Sequence, residues 1–361
     1  MIYIIFEDLF TNIEYIGIRK KVIAQIKVFE KNFERVYYTC YSGYMMYLFY
    51  KGKVIEKEPG ITKEACNEVI FKWLVKYEIR RTYIRYAYAD KWFVKLLKKQ
   101  NKRKIKSIIE IPTYPYDGEG VTGRIKLEDS YYRLQMRDYI DKIATNTDEK
   151  HVFGISCIRL VNGVNIDENP LRIKKKDKTK IVLIGVSALA KWQGYERIIT
   201  GIHDYYKMSG KIRFYFKIIG TGPEKDNYCT LVKKYHLEKY VEFLGKLEGE
   251  CLNEQYNLSD LAVSSLGRYK SKVQDITPIK AAEYCARGIP FICGYHDMRF
   301  NGSENFILNV PNNSEPINMN MVVEFYDNME VQKNYQEEMR DYAVNNLSWD
   351  VVMKEIVEYL K

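Results

Sequence analysis

Asp275 and Glu283 stand eight residues apart in the second half of the chain, with Thr277 and Pro278 between them. Thr is a favoured helix N-cap and Pro a favoured first helical residue, so the pattern predicts a helix that opens at Pro278 and carries Glu283 on its second turn. Asp275 would lie on the preceding loop. The free N–H groups of such a helix start attract phosphate, and two nearby carboxylates can hold hydroxyl groups. A nucleotide-sugar carries both kinds of group on one molecule.

Buried strands and helices alternate around this segment. The apolar runs at 261–263 and 291–293 read as strands on either side of the acidic pair, and Gly220 and Gly222 lie in a strand-to-helix turn. Alternation of this kind predicts an α/β fold with a parallel sheet. In the second half we expect strands at 181–185, 214–219 and 241–245, and helices at 193–206, from 223 to 235, and at 349–360 with Ser348 as its cap.

The first half repeats the alternation and adds a hairpin that turns at Lys51-Gly52. One strand ends at a loop rich in Pro, Gly, aromatic residues and carboxylates, and ligands of open α/β sheets bind at such strand ends. We therefore expect Glu110, Tyr114 and Asp117 to line one wall of a ligand site, where a molecule that accepts a transferred group would bind. The alternative is a rigid Pro turn that packs its tyrosines on the core. We expect strands at 2–6, 36–41, 82–86 and 105–111, and helices at 18–32, 62–77 (capped by Thr62), 90–100 (capped by Asp90) and 125–139.

Size and composition narrow the class of protein. A chain of 361 residues predicts two domains, because single cores stop growing near roughly 250–300 residues. The apolar start reaches only Phe6 before Glu7-Asp8, which indicates no signal peptide. The seven cysteines form no Cys-x-x-Cys pair, which favours reduced thiols and a cytosolic protein, and four scattered histidines do not suggest a metal site.

The net charge of +10 allows two interpretations. It could attract phosphate-bearing substrates or an anionic membrane surface, where the basic run 98–106 would make a peripheral contact. The positive charge could equally reflect a composition rich in Lys, Ile, Tyr and Asn. The basic run 98–106 would then be the solvent-exposed end of a helix, where Lys and Arg complement the helix dipole. A nucleic-acid binder would need aromatic residues interleaved with a basic patch, whereas the 32 tyrosines are spread evenly. We therefore expect no nucleic-acid partner.

Landmarks in the second half, taken together, carry a family resemblance. They are, in order, Asn162-Gly163-Val164, Gly185-Val186 to Gly194-Tyr195, Ile219 to Glu224, Val241 to Gly245, Asp275 to Glu283 with Arg287-Gly288-Ile289-Pro290, and Ser348-Trp349. In this order they resemble the donor domain of GT-B glycosyltransferases, in the large retaining family 4 group. The segment from Ser265 to Lys270 and on through Pro278 to Tyr284 resembles a bacterial branch that builds surface polysaccharides.

This resemblance implies an architecture and an activity. Two Rossmann-like domains would face a central cleft, with residues 1–165 binding the acceptor, 166–345 binding the donor, and a helix at 346–361 packing toward the first domain. The reaction would transfer a sugar, with retention, from a nucleotide-sugar to a glycan or a polyprenyl-diphosphate-linked acceptor, in capsule or exopolysaccharide synthesis. UDP is the expected nucleotide because it is the commonest in such pathways.

The resemblance also implies roles for individual residues. Glu283 would bind the ribose hydroxyls, and Asp275, where the family usually has Glu, would lie beside the donor sugar. Backbone N–H groups from Thr277 through Pro278 to Ile279 would meet the diphosphate or the sugar. The remaining expected donor contacts are Gly17 near the diphosphate, Gly222 in the loop after its strand, and Gly245, Lys246 and Leu247 at the border of the base.

The chain departs from the family in its cations. The Arg and Lys that usually bind the diphosphate align with Ala188 and Gln193. We expect Lys191, Arg197, Lys270 or Lys280 to supply the charge instead. No Asp-x-Asp occurs in the sequence, so a metal–diphosphate clamp built on that motif is not expected, and neither a metal nor a cofactor is predicted.

Two alternative functions remain open. A degenerate glycosyltransferase fold could serve as a non-catalytic partner subunit, and UDP binding or donor hydrolysis would separate that function from an enzyme. An epimerase acting on sugar nucleotides could share the fold, but the segment from Ser265 to Tyr284 argues against it.

Overall fold

The computed structural model describes residues 1–8, 16–117, 123–173, 179–271 and 276–361, and Asp275 lies outside them. The chain forms two compact units. The first contains Met1–Val161 together with Trp349–Lys361, and the second contains Asn162–Ser348. Within the described ranges, none of the helices has both the length and the apolar character that spanning a bilayer would require.

The first unit is built on a nine-stranded sheet with a parallel centre. Its order is β4-β3-β2-β1-β5-β6-β7-β9-β8. The predicted hairpin is present, and it makes β3 and β4 antiparallel; β8 also runs antiparallel to its neighbour. The strands are β1 (Ile2–Ile4), β2 (Tyr37–Ser42), β3 (Met45–Tyr50), β4 (Lys53–Pro59), β5 (Arg81–Arg85), β6 (Lys106–Glu110), β7 (Lys142–Thr145), β8 (His151–Val152) and β9 (Ile155–Arg159).

Side-chain alternation along β1 shows why this sheet is covered on both faces. Ile2 and Ile4 join one buried apolar cluster, and Tyr3 and Ile5 join another on the opposite face. A strand that is buried on both sides reads as a continuous apolar run, as central parallel strands do. Trp349 from the C-terminal segment packs in the cluster of Tyr3.

Two helices of the first unit begin where a side-chain oxygen accepts hydrogen bonds from free backbone N–H groups. Thr62 accepts the N–H of Ala65 at 3.1 Å, and Asp90 accepts those of Trp92 and Phe93, which confirms both predicted caps. The predicted helix at 125–139 is shorter and continues as a 3-10 turn at Arg133–Asp138. The helices are α1 (Ile16–Asn32), α2 (Lys63–Lys76), α3 (Lys91–Lys102), α4 (Gly123–Tyr132), α11 (Trp349–Val352) and α12 (Lys354–Leu360).

The prediction that Ser348 caps one long C-terminal helix is wrong. The Ser348 hydroxyl donates to the carbonyl of Val344 at 2.9 Å, and a turn at Met353 separates α11 from α12.

The second unit contains a six-stranded sheet in which every pairing is parallel. Its order is β12-β11-β10-β13-β14-β15. The chain leaves β10 toward one edge and β13 toward the other, so the sheet changes direction between these two strands. The strands are β10 (Lys180–Val186), β11 (Arg213–Ile219), β12 (Val241–Gly245), β13 (Leu261–Val263), β14 (Phe291–Cys293) and β15 (Ile307–Asn309).

Three helices of the second unit begin later than the sequence predicts, and one of them, expected from 223, begins at Lys225. The helix expected from 193 begins at Glu196, after a 3-10 turn at Lys191–Gln193. The helix expected to open at Pro278 has Pro278 as its N-cap, so Thr277 is not the cap. The helices are α5 (Glu196–Lys207), α6 (Lys225–Lys234), α7 (Gly249–Asn257), α8 (Ile279–Ala286), α9 (Met319–Val331) and α10 (Tyr335–Tyr342).

Candidate active site

Two loops meet where the sheet of the second unit changes direction. One follows β10 and the other follows β13. The N–H of Leu266 donates to the carbonyl of Gln193 at 2.8 Å, and that of Gly267 to the carbonyl of Trp192 at 3.2 Å. In open α/β sheets, ligands bind outside the carboxyl ends of the strands at such a switch point. The geometry of the fold therefore places the candidate site at these loops.

Glycines allow the loops to approach this closely. Gly194 has a left-handed backbone (φ +65°), and a Cβ there would lie 2.4 Å from the amide nitrogen of Gly267. A Cβ on Gly222 would lie 2.6 Å from the amide nitrogen of Leu189, in the loop after β10. Gly222, a predicted donor contact, therefore packs directly on this loop.

A pair of cations lies at the same place. The Lys280 ammonium donates to Oε1 of Gln193 at 2.6 Å, and the Ser265 hydroxyl donates to the same oxygen at 3.1 Å. The Arg268 guanidinium lies over the Trp192 ring, 5.6 Å from its centroid. The buried Nε of Arg268 has no hydrogen-bond partner among the described residues.

Burial makes the charged forms of this pair unfavourable, and repulsion between the two groups adds to that cost for Lys280. Burial, and then repulsion from Arg268, holds the pKa of the Lys280 ammonium well below its usual value, and burial lowers the pKa of Arg268. In the described part of the chain, no carboxylate forms an ion pair with either group. Shielded cations without a counter-charge are costly, and a bound anion would relieve that cost.

Glu283 lies one helical turn beyond Ile279 on α8 and is half-buried. Burial, and then the negative charge of Glu283, raises the pKa of the Tyr256 phenol. Arg287 stacks over the Tyr256 ring at 4.4 Å and donates to Asn253 at 2.8 Å. Tyr256 and Arg287 therefore both lie close enough to the Glu283 carboxylate to be affected by its charge.

The start of α8 is anchored from two sides. The Asn162 amide donates to the carbonyl of Thr277 at 2.9 Å, and Arg299 donates to the carbonyl of Pro278 at 2.8 Å. These contacts hold the segment just before the helix. The backbone N–H groups of Ile279 and Lys280 are therefore presented at a fixed position, with the Lys280 side chain beside them.

The other three residues predicted to supply a cation for the diphosphate differ from Lys280 in their exposure and partners. Lys191 is exposed in its 3-10 turn. Lys270 forms an ion pair with Glu196, which neutralises its charge. Arg197 is buried and donates to the carbonyls of Glu315 and Leu266, so the prediction that it could meet a diphosphate is wrong.

The turn after β12 carries the three residues predicted to border a base. Gly245 has a left-handed backbone (φ +67°) with open space beside it. Lys246 is exposed and lies 3.7 Å from the Glu248 carboxylate, whereas Leu247 packs against the core of the unit. This turn also reaches the loop after β11, because the N–H of Gly220 donates to the carbonyl of Gly245 at 2.7 Å.

Four predicted residues lie in the first unit, and Glu110 requires a correction. Its carboxylate is fully buried, 2.8 Å from the Lys21 ammonium and 3.0 Å from the Tyr83 hydroxyl. Burial acts to raise the pKa of Glu110, but Lys21 and Arg85 together lower it to about 2. Glu110 therefore stabilises the interior of the unit and does not line a wall of the predicted acceptor site.

The remaining three are nearer the surface. Gly17 is exposed in the first turn of α1. Tyr114 is half-buried and meets the ring of Phe153 edge-on, with centroids 6.1 Å apart. Asp117 is exposed and pairs with Arg133 at 2.8 Å.

The sequence did not single out Arg268 or assign a function to Gln193. Gln193 was noted only as a departure from the family's Lys, yet its amide oxygen binds Lys280. The available signal was topological: both residues follow strands that flank the point where the sheet changes direction, and such loops converge.

Comparison with known proteins relates part of the chain to glycosyltransferases. Residues 167–299 match the family model described as "Glycosyl transferases group 1". An uncharacterized glycosyltransferase of Methanocaldococcus jannaschii is 28% identical over 191 residues, which is 51% of this chain and 46% of that protein. The alignment thus spans about half the length of this curated relative. Residues 167–299 are thus similar to the group 1 glycosyl transferases.

Solved structures show the fold. A glycosyltransferase from Rickettsia africae has a TM-score of 0.67 at 14% identity, covering 100% of this chain and 97% of its own. HepE of Anabaena, solved in complex with UDP, has a TM-score of 0.63 at 11% identity, covering 100% and 99%. A sucrose-phosphate synthase from Thermosynechococcus elongatus scores 0.61 at 11% identity, covering 99% and 97%. The chain has the GT-B fold of two Rossmann-like domains, as the sequence predicted.

Proposed function

We propose that this chain is a glycosyltransferase that binds a UDP-sugar in its second unit and transfers the sugar to an acceptor hydroxyl with retention. The observation that carries the proposal is the basic pair Lys280 and Arg268 at the switch point of the sheet. The pair lies beside the N-terminus of α8, and burial lowers the pKa of each of the two groups below its usual value. The family match over residues 167–299 and the UDP bound to HepE support a nucleoside diphosphate as that anion.

The diphosphate would be held by Lys280, Arg268 and the N–H groups of Ile279 and Lys280. Glu283, on the next turn of α8, would accept hydrogen bonds from the ribose hydroxyls. The turn from Gly245 to Leu247 would border the base. Asp275, outside the described residues, stays a prediction for the donor sugar, as do Lys191 and Gly17 for the diphosphate.

These groups suffice for the chemistry of a retaining transfer. The bond between the anomeric carbon and the diphosphate oxygen breaks while the acceptor oxygen bonds to the same carbon on the same face. The departing phosphate oxygen takes the acceptor proton. Cations and helix-start N–H groups stabilise the negative charge that develops on the leaving group, which is the electrostatic contribution that enzymes use most. Protein groups would thus carry this step without a metal ion.

The proposed setting is the synthesis of a capsule, an exopolysaccharide or another cell-surface glycan. The acceptor would be a glycan or a polyprenyl-diphosphate-linked sugar at the cytosolic face of the membrane. The basic side chains at the end of α3, including Lys98, Lys102 and Arg103, are exposed and could make a peripheral contact with anionic lipid.

A non-catalytic partner subunit is the second candidate, favoured by Ala188 and Gln193 at the positions of the family's cations. A thermal-shift panel of UDP-, GDP- and dTDP-sugars, followed by assays of donor hydrolysis, separates the two functions. A ligand at about 100 times its Kd stabilises the folded state by about 2.7 kcal/mol. We expect a UDP-sugar to raise Tm by several degrees and to be hydrolysed slowly. No shift and no hydrolysis with any donor would favour the partner subunit.

A further inference from the structure

A cavity of about 320 Å³ lies in the first unit, and none of its lining residues belongs to the candidate active site. It opens outside the carboxyl ends of three neighbouring parallel strands. Phe6 follows β1, Tyr41 lies at the end of β2, and Tyr88 follows β5. The chain leaves β1 and β5 toward opposite edges, so this cavity lies at the switch point of the first sheet, where α/β folds bind ligands.

The backbone of Tyr88 is unusual at this position. Its φ is +66°, a left-handed conformation that costs free energy for a residue with a side chain. Residues held in such conformations cluster at ligand sites, where the surrounding structure over-determines them. Here the conformation sets the Tyr88 ring in the wall of the cavity, with its centroid 5.8 Å from that of Tyr116.

The wall combines aromatic rings with polar groups. Phe6 and Phe93 meet edge to face, with centroids 6.1 Å apart. At the rim, the Lys63 ammonium lies 2.9 Å from the buried Asp90 carboxylate. Asn67 also lines the cavity and is buried; its amide nitrogen donates to the carbonyl of Lys63, but its amide oxygen has no partner in the described part of the chain.

We propose that this cavity binds one sugar ring, the terminal residue of the acceptor glycan. The inference rests on the glycosyltransferase function proposed above, and it moves the acceptor from Glu110 and its loop to the switch point of the first sheet. A pyranose has apolar C–H faces, which pack on aromatic rings, and a rim of hydroxyls, which hydrogen-bond to Asn67, Thr62 and Asp90. The volume lies at the lower end of the roughly 300–1,000 Å³ typical of ligand pockets and suits one ring.

An isoprenyl chain fits the same cavity less well. A purely apolar occupant would bury the amide oxygen of Asn67 without a donor and would place carbon against the Asp90–Lys63 pair. A hydroxyl donates to the amide oxygen and accepts from the ammonium. The polar groups therefore select the sugar rather than the lipid as the occupant of this cavity.

Saturation-transfer NMR on the full chain without nucleotide tests this assignment. The probes are methyl glycosides of glucose, galactose and N-acetylglucosamine, with geranyl phosphate as the lipid probe. Ala87→Phe fills the cavity, and Tyr88→Gly removes one aromatic wall while suiting the left-handed backbone. Tyr44→Gly is the matched control, because Tyr44 also has a left-handed backbone (φ +61°) but is exposed in a turn outside the cavity.

We expect at least one glycoside to bind saturably to the wild type. Ala87→Phe and Tyr88→Gly should each weaken that binding at least roughly tenfold, while Tyr44→Gly leaves it unchanged. Equal binding by all three variants, absence of glycoside binding, or binding of geranyl phosphate alone would overturn the assignment. A thermal-unfolding midpoint and a far-UV circular dichroism spectrum like those of the wild type verify that each variant folds. Glycoside binding without UDP binding would contradict the proposed UDP site in the second unit but would support the sugar site in this cavity.

Discussion

Replacing Lys280 by Met is expected to lower kcat/KM for the UDP-sugar at least about 100-fold, the usual loss when one stabiliser of transition-state charge is removed. Lys280 is the cation beside the first N–H groups of α8, and it shares the Gln193 amide with Ser265. Without it, Arg268 alone would face the diphosphate. Steady-state kinetics with the donor identified by the thermal-shift panel would measure the loss, which should appear in kcat as well as in KM.

Two variants separate a specific role from a loss of charge. Lys207→Met removes the same charge from the exposed end of α5 and should leave kcat/KM within about twofold of the wild type, as surface substitutions usually do. Lys280→Arg keeps the charge and should retain part of the activity. If Lys280→Met matched Lys207→Met, the diphosphate role of Lys280 would be wrong.

The lowered pKa of Lys280 gives this prediction a pH signature. In the free chain the ammonium loses its proton below the usual Lys value of about 10.4, and a bound diphosphate would raise its pKa again. Binding therefore takes up a proton in that window, and the affinity for UDP should fall as the pH rises through it. Lys280→Arg stays charged and should show a flat profile.

The same shift affects the stability of the free chain. Because the folded-state pKa of Lys280 lies below the unfolded value, the unfolded chain binds more protons between the two values. The contribution of this group to the free energy of unfolding therefore rises with pH across that window. Lys280→Met should remove this component of the pH dependence.

Glu283→Ala is expected to remove most activity while the protein still folds, because the carboxylate is proposed to hold the ribose hydroxyls. A hydrogen bond to a charged group contributes about 1.5–3 kcal/mol, so the wild type should prefer UDP to 2′-deoxy-UDP by roughly tenfold or more. In the variant the two nucleotides should bind almost equally well. Calorimetric titration of both nucleotides into both proteins measures this preference.

The control for this substitution is Glu283→Gln, which keeps the size of the side chain and one acceptor oxygen. It should retain an intermediate preference for UDP. A purely structural role for Glu283 would weaken both nucleotides alike and leave the preference for UDP unchanged. Full turnover by Glu283→Ala would contradict the ribose role altogether.

Local signals allowed much of the fold to be predicted from the sequence. Thr62 and Asp90 cap helices because each has an oxygen acceptor just before an amphipathic run, and the turn at Lys51-Gly52 fits the left-handed backbone of both residues. The buried strands follow from apolar runs of β-branched and aromatic residues. Pro278 misled the prediction by one position, because a Pro fits an N-cap with extended backbone as well as the first helical residue.

Long-range contacts account for what the sequence missed. Glu110 looked like a loop-facing carboxylate, but Lys21 and Tyr83, distant in the chain, enclose it inside the first unit. Arg197 and Lys270 were predicted as free cations, but each binds a residue distant in the chain, Leu266 and Glu196 respectively. The pairing of Lys280 with Gln193 depends on a contact across 87 positions, which spacing alone does not reveal.

A calorimetric titration of UDP and of uridine into the wild-type chain tests most directly whether the basic pair at the switch point of the second unit is a diphosphate site. UDP should bind at least about 100-fold more tightly than uridine, because two charge-assisted contacts are each worth about 1.5–3 kcal/mol. Equal affinity for the two compounds, or no heat from UDP at millimolar concentration, would contradict the diphosphate site.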